Sequence, residues 1–173
     1  FEHYRNRRLN NKLTAMNQVT VEDMKALQYD SYNLQAAESL PVLINLLADY
    51  GASSKEAQKY LADLKGWDYF ADPAKKGQTL YSIWFSETAE SIWRELMDQG
   101  APVVRPNNYQ TIALMRDTPE DPVFDVHMAA GIQTAQYHVQ VGFDSLLVAM
   151  KKWEAEEGDY GWADYKKTTI QHL

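Results

Sequence analysis

Histidine is the side chain best suited to acid–base chemistry and metal binding near neutral pH. The chain contains four, His3, His127, His138 and His172. No two of them stand four residues apart, the spacing that places a pair of zinc ligands on one face of a helix. The sequence therefore does not favour a zinc site, and no cofactor is expected within this chain.

The short motifs that mark nucleotide sites and serine hydrolases are also missing. The sequence has no GxGxxG or GxxxxGK[ST] segment to hold phosphates and no GxSxG turn to expose a serine. It has no cysteine, which excludes disulfides, thiolate ligands and cysteine nucleophiles. Taken alone, the chain shows no self-sufficient active site.

Two acidic segments, EAEEGD at 154–159 and DTPED at 117–121, offer the oxygen ligands that hard cations prefer. Neither has the spacing of an EF-hand loop, so we interpret both as solvated surface. The only basic cluster, Arg5, Arg7 and Arg8, is likewise interpreted as a solvated helix face.

Five tryptophans could stack on a ligand: Trp67, Trp84, Trp93, Trp153 and Trp162. They fall at helical spacing among other apolar residues, and large aromatic side chains dominate the energetics of protein cores. Core packing is therefore the favoured interpretation.

The formal charge of −7 argues against anionic partners. A net negative surface repels phosphate backbones and anionic lipid headgroups. No run approaches the roughly 18 apolar residues of a membrane-spanning helix. We expect neither nucleic acid nor membrane as a partner.

Apolar periodicity and capping residues predict an all-α chain. The predicted helices lie at 8–16, after the Thr20 cap of "TVED", at 34–51, at 55–66 after Ser53 or Ser54, at 78–97, at 108–116 and at 134–157. Pro41 would either kink the segment at 34–51 or open a new helix, and the second is expected, because proline in a helix interior costs about 3 kcal/mol. No repeat or long polar linker divides the chain, so residues 1–173 are predicted to form one irregular multi-helix domain.

The opening stretch carries a more specific pattern. Its members are Arg5, Arg8-Leu9, Leu13, Thr20, Glu22-Asp23-Met24, Leu27-Gln28, Asp30, Ala36 or Ala37, Leu40-Pro41 and Leu43. In order and spacing this pattern resembles the β chain of the penicillin acylase family, amidases that include cephalosporin and acyl-homoserine-lactone acylases. Leu9 replaces the isoleucine that is usual in the family.

Two later segments extend the resemblance over nearly the whole chain. "YLADLKGWDYFAD" at 60–72 is similar to a family segment that centres on a Trp-Asp pair, and "YGWADYKKTTIQHL" at 160–173 is similar to one that ends in histidine. Residues 99–130 contribute little. Tyr69 stands where the family commonly has glycine after the Trp-Asp pair, and we interpret it as a tolerable change.

The resemblance implies that the chain is an internal helical fragment of a larger, autoprocessed α+β N-terminal nucleophile hydrolase. Such an enzyme hydrolyses a linear amide, for example the acyl side chain of a β-lactam or an acyl-homoserine lactone. Its nucleophile is the serine that begins the β chain, the α-amino group of that serine is the base, and main-chain N–H groups with an asparagine stabilise the oxyanion. These groups are expected upstream of Phe1, so the fragment alone should be inactive.

One functional residue carries over from the resemblance. Arg5 matches a family arginine near the catalytic serine, where it would support the active-site hydrogen-bond network; in an isolated fragment it would be a surface arginine. Asp30 and His172 also match family positions, and both are interpreted as structural.

The resemblance further implies the remaining acylase α and β chains as partners, a small amide substrate, calcium elsewhere in the full-length enzyme, and a periplasmic or secreted location. An apolar surface covered by those chains should be exposed here. The alternative interpretation is a non-enzymatic helical domain whose aromatic faces bind a partner protein.

Overall fold

The computed structural model of the chain describes residues 4–48, 50, 54–98, 104–125 and 133–167. Within these residues the structure is all-α, which confirms the predicted fold class. The helices are α1 (Tyr4–Ala15), α2 (Val21–Gln28), α3 (Leu34–Leu47), α4 (Lys55–Lys65), α5 (Lys76–Asp98), α6 (Asn108–Asp117), α7 (Ala135–Glu156) and α8 (Trp162–Lys166), with a 3₁₀ turn at Pro122–Phe124. The single domain over 1–173 stays a prediction.

The two longest helices, α5 and α7, form the centre of the fold. The Trp84 indole donates to the main-chain oxygen of Val139 at 3.0 Å, and its ring lies 5.1 Å from that of Phe143. Gly142 allows the close approach, since a Cβ there would lie 2.2 Å from Thr88 Oγ1. Helix α3 packs against α7, α4 packs against α5, and α6 packs against α3 and is bonded to α5 through Trp93 and Thr111.

The tryptophans test the expectation of core packing. Trp67, Trp84 and Trp93 are buried in one continuous apolar cluster, which confirms the interpretation for these three. Trp153 packs half-buried against the cluster, and Trp162 is half-buried on α8.

Local capping signals set the starts of α2 and α4 as predicted, whereas Thr134 at the start of α7 makes no side-chain capping hydrogen bond. Thr20 Oγ1 accepts from the Asp23 N–H at 3.2 Å, and the Asp23 carboxylate accepts from the Thr20 N–H at 2.9 Å, which is a complete capping box. Ser54 Oγ accepts from the Ala57 N–H at 3.0 Å and starts α4. The predicted helix at 134–157 is observed as α7, with Thr134 at its N-cap.

The prediction that Pro41 opens a new helix was wrong. Pro41 lies inside α3, and the helix continues unbroken on both sides of it. The buried residues Ala36, Leu40, Leu43 and Leu47 occur on both sides of it along one face, while Pro41 itself is exposed. Burial of that face outweighs the loss of one main-chain donor. Gly51, the predicted helix end, lies outside the described residues.

Helix α1 begins four residues earlier than predicted and therefore contains Arg5, Arg7 and Arg8. None of its residues is fully buried. Among the described helices, none combines the length and the apolar character needed to cross a lipid bilayer.

Candidate functional site

Arg5 lies on the first turn of α1 and reaches the end of α2. Its Nη2 donates to the main-chain oxygens of Leu27 at 2.8 Å and Gln28 at 3.3 Å, and its Nη1 donates to that of Asp30. The last carbonyls of a helix lack partners within the helix and carry the negative end of its dipole. Arg5 thus caps the C-terminus of α2 with a positive charge.

The basic cluster, interpreted as a solvated helix face, is exposed at Arg5 but partly covered at Arg7 and Arg8. Arg7 forms a two-point ion pair with Glu38 of α3, with Nη2 to Oε2 at 2.8 Å. Arg8 lies over the Tyr32 ring at 4.0 Å and contacts the Asp30 carboxylate. The three arginines thus tie α1 to the end of α2, to α3 and to the Asp30–Tyr32 segment, and Arg5, although exposed, makes main-chain contacts.

Asp30 is the charged centre of this region. Its side chain is 1% exposed, and Oδ2 accepts from Lys12 Nζ at 2.6 Å and from Arg8 Nε at 3.3 Å, with Arg8 Nη2 in ion-pair contact at 3.2 Å. Oδ1 accepts from the Tyr32 N–H at 2.9 Å. Burial alone would raise the pKa of the Asp30 carboxyl, but the three donors together hold that pKa below its usual value. The structural role predicted for Asp30 agrees with these contacts.

The segment after Asp30 pairs with the Trp-Asp segment. The Asn33 N–H donates to the Tyr69 oxygen at 2.8 Å, and the Ala71 N–H donates to the Ser31 oxygen at 3.1 Å. The Trp67 indole donates to the Phe70 oxygen at 2.9 Å and closes the turn. Two stretches that carry the family resemblance, far apart in sequence, thus meet beside α1.

Tyr69 adopts a φ of +65°, in the left-handed region. A residue with a Cβ is strained there by about 1 kcal/mol or more, whereas glycine is not. Glycine suits the position for this reason. Tyrosine in place of glycine therefore strains the backbone, which its interpretation as a tolerable change did not include. The ring recovers part of that cost, because it packs against Trp67 at 5.4 Å and Tyr32 at 6.1 Å.

A serine–histidine pair connects α5 and α7, and sequence reasoning missed it. His138 Nδ1 lies 2.8 Å from Ser91 Oγ, and Nε2 lies 2.9 Å from the Phe124 main-chain oxygen. A carbonyl can only accept, so Nε2 carries a proton, and in the neutral imidazole Nδ1 then accepts from the serine hydroxyl. Although this is the pairing of a nucleophile with a base, His138 is 3% exposed between packed helices. We interpret the pair as a structural hydrogen bond that joins α5 to α7 in the core. His3, His127 and His172 lie outside the described residues.

The acidic segments make ordinary structural contacts where they are described. Glu154 accepts from Lys59 at 2.7 Å and from the Tyr60 hydroxyl at 2.8 Å, and Asp117 pairs with Arg116. Asp121 caps the 3₁₀ turn through the Val123 N–H. The described part of the chain holds no group of three histidine or acidic residues that could bind a metal ion.

Two pockets formed by the described residues lie away from Arg5. One of about 430 Å³ lies between α4 and α7 and is lined by Ser54, Glu56, Tyr60, Leu147, Lys151 and Glu154. A polar groove of about 290 Å³ follows α5 between α3 and the start of α6. Neither is lined by Arg5 or by a residue that Arg5 contacts.

Comparison with known proteins gives one match over the whole sequence. A family model described as penicillin amidase covers residues 1–173, including residues 99–130, which contributed little to the resemblance. No curated protein matches the chain. With its arginine-bearing first helix, the capped second helix and the Trp-Asp segment folded against them, the chain belongs to the penicillin amidase family.

Proposed function

We propose that the full-length protein hydrolyses a linear amide and that this chain is its helical part. The family match over residues 1–173 is the observation that carries the proposal. The substrate would be an acyl amide such as an acylated β-lactam or an acyl-homoserine lactone. The groups that perform the chemistry are proposed to lie on other parts of the polypeptide, so that this chain alone is inactive.

The proposed reaction uses an N-terminal serine upstream of this chain. Its hydroxyl attacks the amide carbonyl, its own α-amino group accepts the hydroxyl proton, and the leaving amine takes that proton as the C–N bond breaks. An acyl ester on the serine remains, and water hydrolyses it to the acid. Main-chain N–H groups and an asparagine are proposed to stabilise the oxyanion.

Arg5 is proposed to support that site as a positioning residue. Its three contacts with main-chain oxygens use three of the five guanidinium N–H donors. The Nε–H and one N–H on Nη1 remain for an acceptor in the active-site network. Arg5 is exposed in this chain, which leaves it accessible to such a neighbour.

The remaining acylase α and β chains are proposed to cover the apolar residues of the α1–α2 region. Four of them are exposed to solvent: Leu13 at 39%, Val19 at 46%, Val21 at 70% and Met24 at 46%. Burial of each would contribute about 25 cal/mol per Å² of apolar surface. We further propose a periplasmic or secreted location and calcium bound elsewhere in the full-length protein, with neither nucleic acid nor membrane as partner.

The same exposed residues favour a second candidate, a helical domain that binds another protein without catalysis. Mass spectrometry of the full-length protein, quenched in acid during incubation with an acyl amide, separates the two. The amidase proposal expects an acyl adduct on the chain that begins with the nucleophilic serine, and none after Ser→Ala there. Absence of any adduct, together with no release of amine, supports the binding domain.

A further inference from the structure

Helix α1 is attached to the rest of the molecule by a polar stripe. Arg5, Arg8 and Lys12 follow one another at spacings of three and four residues, so they share one face of the helix. No residue of α1 is fully buried. The orientation of this helix therefore depends on what its cationic stripe contacts.

All three cations of the stripe meet at one residue. Arg5 donates to the main-chain oxygen of Asp30, while Arg8 at 3.2 Å and Lys12 at 2.6 Å contact its carboxylate. The Tyr32 N–H fixes the other carboxylate oxygen at 2.9 Å. A side chain that is 1% exposed and bonded at both oxygens has little freedom to move.

We propose that Asp30 is a positioning residue for Arg5. Its carboxylate holds Arg8 and Lys12, and through them it fixes the rotation of α1 that determines where the Arg5 guanidinium lies. The inference rests on the proposed amidase function and on the supporting role of Arg5 within it.

The acceptors of Arg5 strengthen this connection. Leu27 and Gln28 belong to the last turn of α2, two to three residues before Asp30, so the three oxygens that Arg5 binds move together with Asp30. A displacement of about 1 Å at a group that orients a reaction can cost about 100-fold in rate. Loss of the Asp30 charge should therefore reach the reaction through Arg5.

The test compares Asp30→Asn with wild type in the full-length protein. Asparagine keeps the shape and can still accept from the Tyr32 N–H, but it carries no charge to hold two cations. We expect kcat to fall about 100-fold while KM stays within about threefold, because the change affects orientation rather than substrate binding. Arg8→Gln removes one of the two cations that contact the Asp30 carboxylate and leaves the carboxylate in place. It should lower kcat by a smaller factor, and it replaces Asp30→Asn in the test if that variant does not fold.

Glu38→Gln is the matched control. It removes the Arg7 ion pair, which ties α1 to α3, and leaves every contact of Asp30 in place. We expect its kcat to remain within about threefold of wild type. A loss as large as that of Asp30→Asn would overturn the proposal, because it would show that any loosening of α1 has the same effect.

A readout without substrate separates this inference from the proposed function. Hydrogen exchange measured by mass spectrometry on the α1 peptide should become about tenfold faster in Asp30→Asn but not in Glu38→Gln. Unchanged exchange in Asp30→Asn contradicts the positioning role. Wild-type protein that cleaves no amide, with the exchange pattern as expected, contradicts the amidase function and leaves Asp30 only its structural part.

Discussion

Gly142 and Thr88 are in direct van der Waals contact where the two longest helices cross. A Cβ added at Gly142 would lie 2.2 Å from Thr88 Oγ1 and 2.8 Å from its main-chain nitrogen. Real Cβ atoms do not approach main chain so closely, so the helices would have to separate. The glycine therefore sets the distance between α5 and α7, on which the core depends.

Gly142→Ala is expected to destabilise the chain by about 3 kcal/mol, the upper part of the range for overpacked cores, because main chain rather than a flexible side chain must move. Urea unfolding followed by circular dichroism measures it. Gly66→Ala is the control: Gly66 is exposed, has a right-handed conformation and meets only the Ala62 oxygen at 3.3 Å. It should change stability by about 0.5 kcal/mol or less. Equal losses of stability in Gly142→Ala and Gly66→Ala would disprove that close packing at the α5–α7 crossing makes Gly142 necessary.

Pro41→Ala is expected to stabilise the chain by about 1 to 2 kcal/mol. Proline in a helix interior costs about 3 kcal/mol relative to alanine, and the greater freedom of the unfolded alanine chain offsets part of the gain. Pro122→Ala, at the first position of the 3₁₀ turn where proline is tolerated, should give no gain. Thermal unfolding of both variants tests the difference, and a lower Tm for Pro41→Ala would contradict it.

Asp30→Asn is expected to lower the free energy of unfolding by about 2 kcal/mol at pH 7, because Lys12 and Arg8 lose their charged acceptor but remain partly exposed to water. The pKa of Asp30 is lower in the folded than in the unfolded protein. The stabilisation by its carboxylate is therefore fully present above the unfolded pKa of about 3.9 and is lost as pH falls through the folded pKa. The difference between wild type and variant should thus shrink below about pH 4.

Urea unfolding at pH 7 and pH 3 measures that difference for Asp30→Asn. Glu22→Gln, which breaks the exposed pair with Lys25, is the control and should cost about 0.5 kcal/mol or less at either pH. A difference for Asp30→Asn that is the same at pH 3 and pH 7 would show that the carboxylate charge does not hold α1.

Tyr60 and Tyr160 are expected to make the fold sensitive to alkali. Their rings meet edge to face at 5.8 Å, and their hydroxyls donate to Glu154 at 2.8 Å and to Asp63 at 2.6 Å. Burial, followed by these carboxylates, raises the pKa of both phenols well above the usual value of about 10. The stabilisation of the fold by the two protonated phenols is therefore complete below about pH 10 and is lost as pH rises toward their folded pKa.

The double variant Tyr60→Phe with Tyr160→Phe should be less stable than wild type at pH 8 by about 3 to 6 kcal/mol, since it loses two hydrogen bonds to charged groups and each contributes about 1.5 to 3 kcal/mol. Between pH 10 and 11.5 its stability should fall less steeply with pH. Tyr29→Phe, at a residue that is 84% exposed, should keep the wild-type slope. Identical slopes for all three proteins would refute this explanation.

Local signals made much of the fold predictable. The Thr20 capping box and the Ser54 cap depend on residues three positions apart, so the sequence displays them directly. Pro41 shows the limit of such signals, because a helix preference of about 3 kcal/mol yields to the burial of four residues on the opposite face. The reason for that burial lies in helices distant in sequence.

The candidate site was harder to predict for the same reason. The resemblance identified Arg5 and Asp30, but not that the two are bonded, since 25 residues separate them. The Ser91–His138 pair spans 47 residues and has no signature in the sequence. For Tyr69, only the backbone reveals the left-handed conformation that makes glycine the natural occupant.

The most direct test of the proposed amidase function is the rate at which the full-length protein releases amine from a panel of chromogenic acyl amides. Wild type should release amine and acid in equal amounts, Ser→Ala at the N-terminal nucleophile should abolish release, and Arg5→Ala should reduce kcat by about 100-fold or more. Full-length protein that cleaves no member of the panel, or that cleaves them equally well without the serine, would contradict the amidase account.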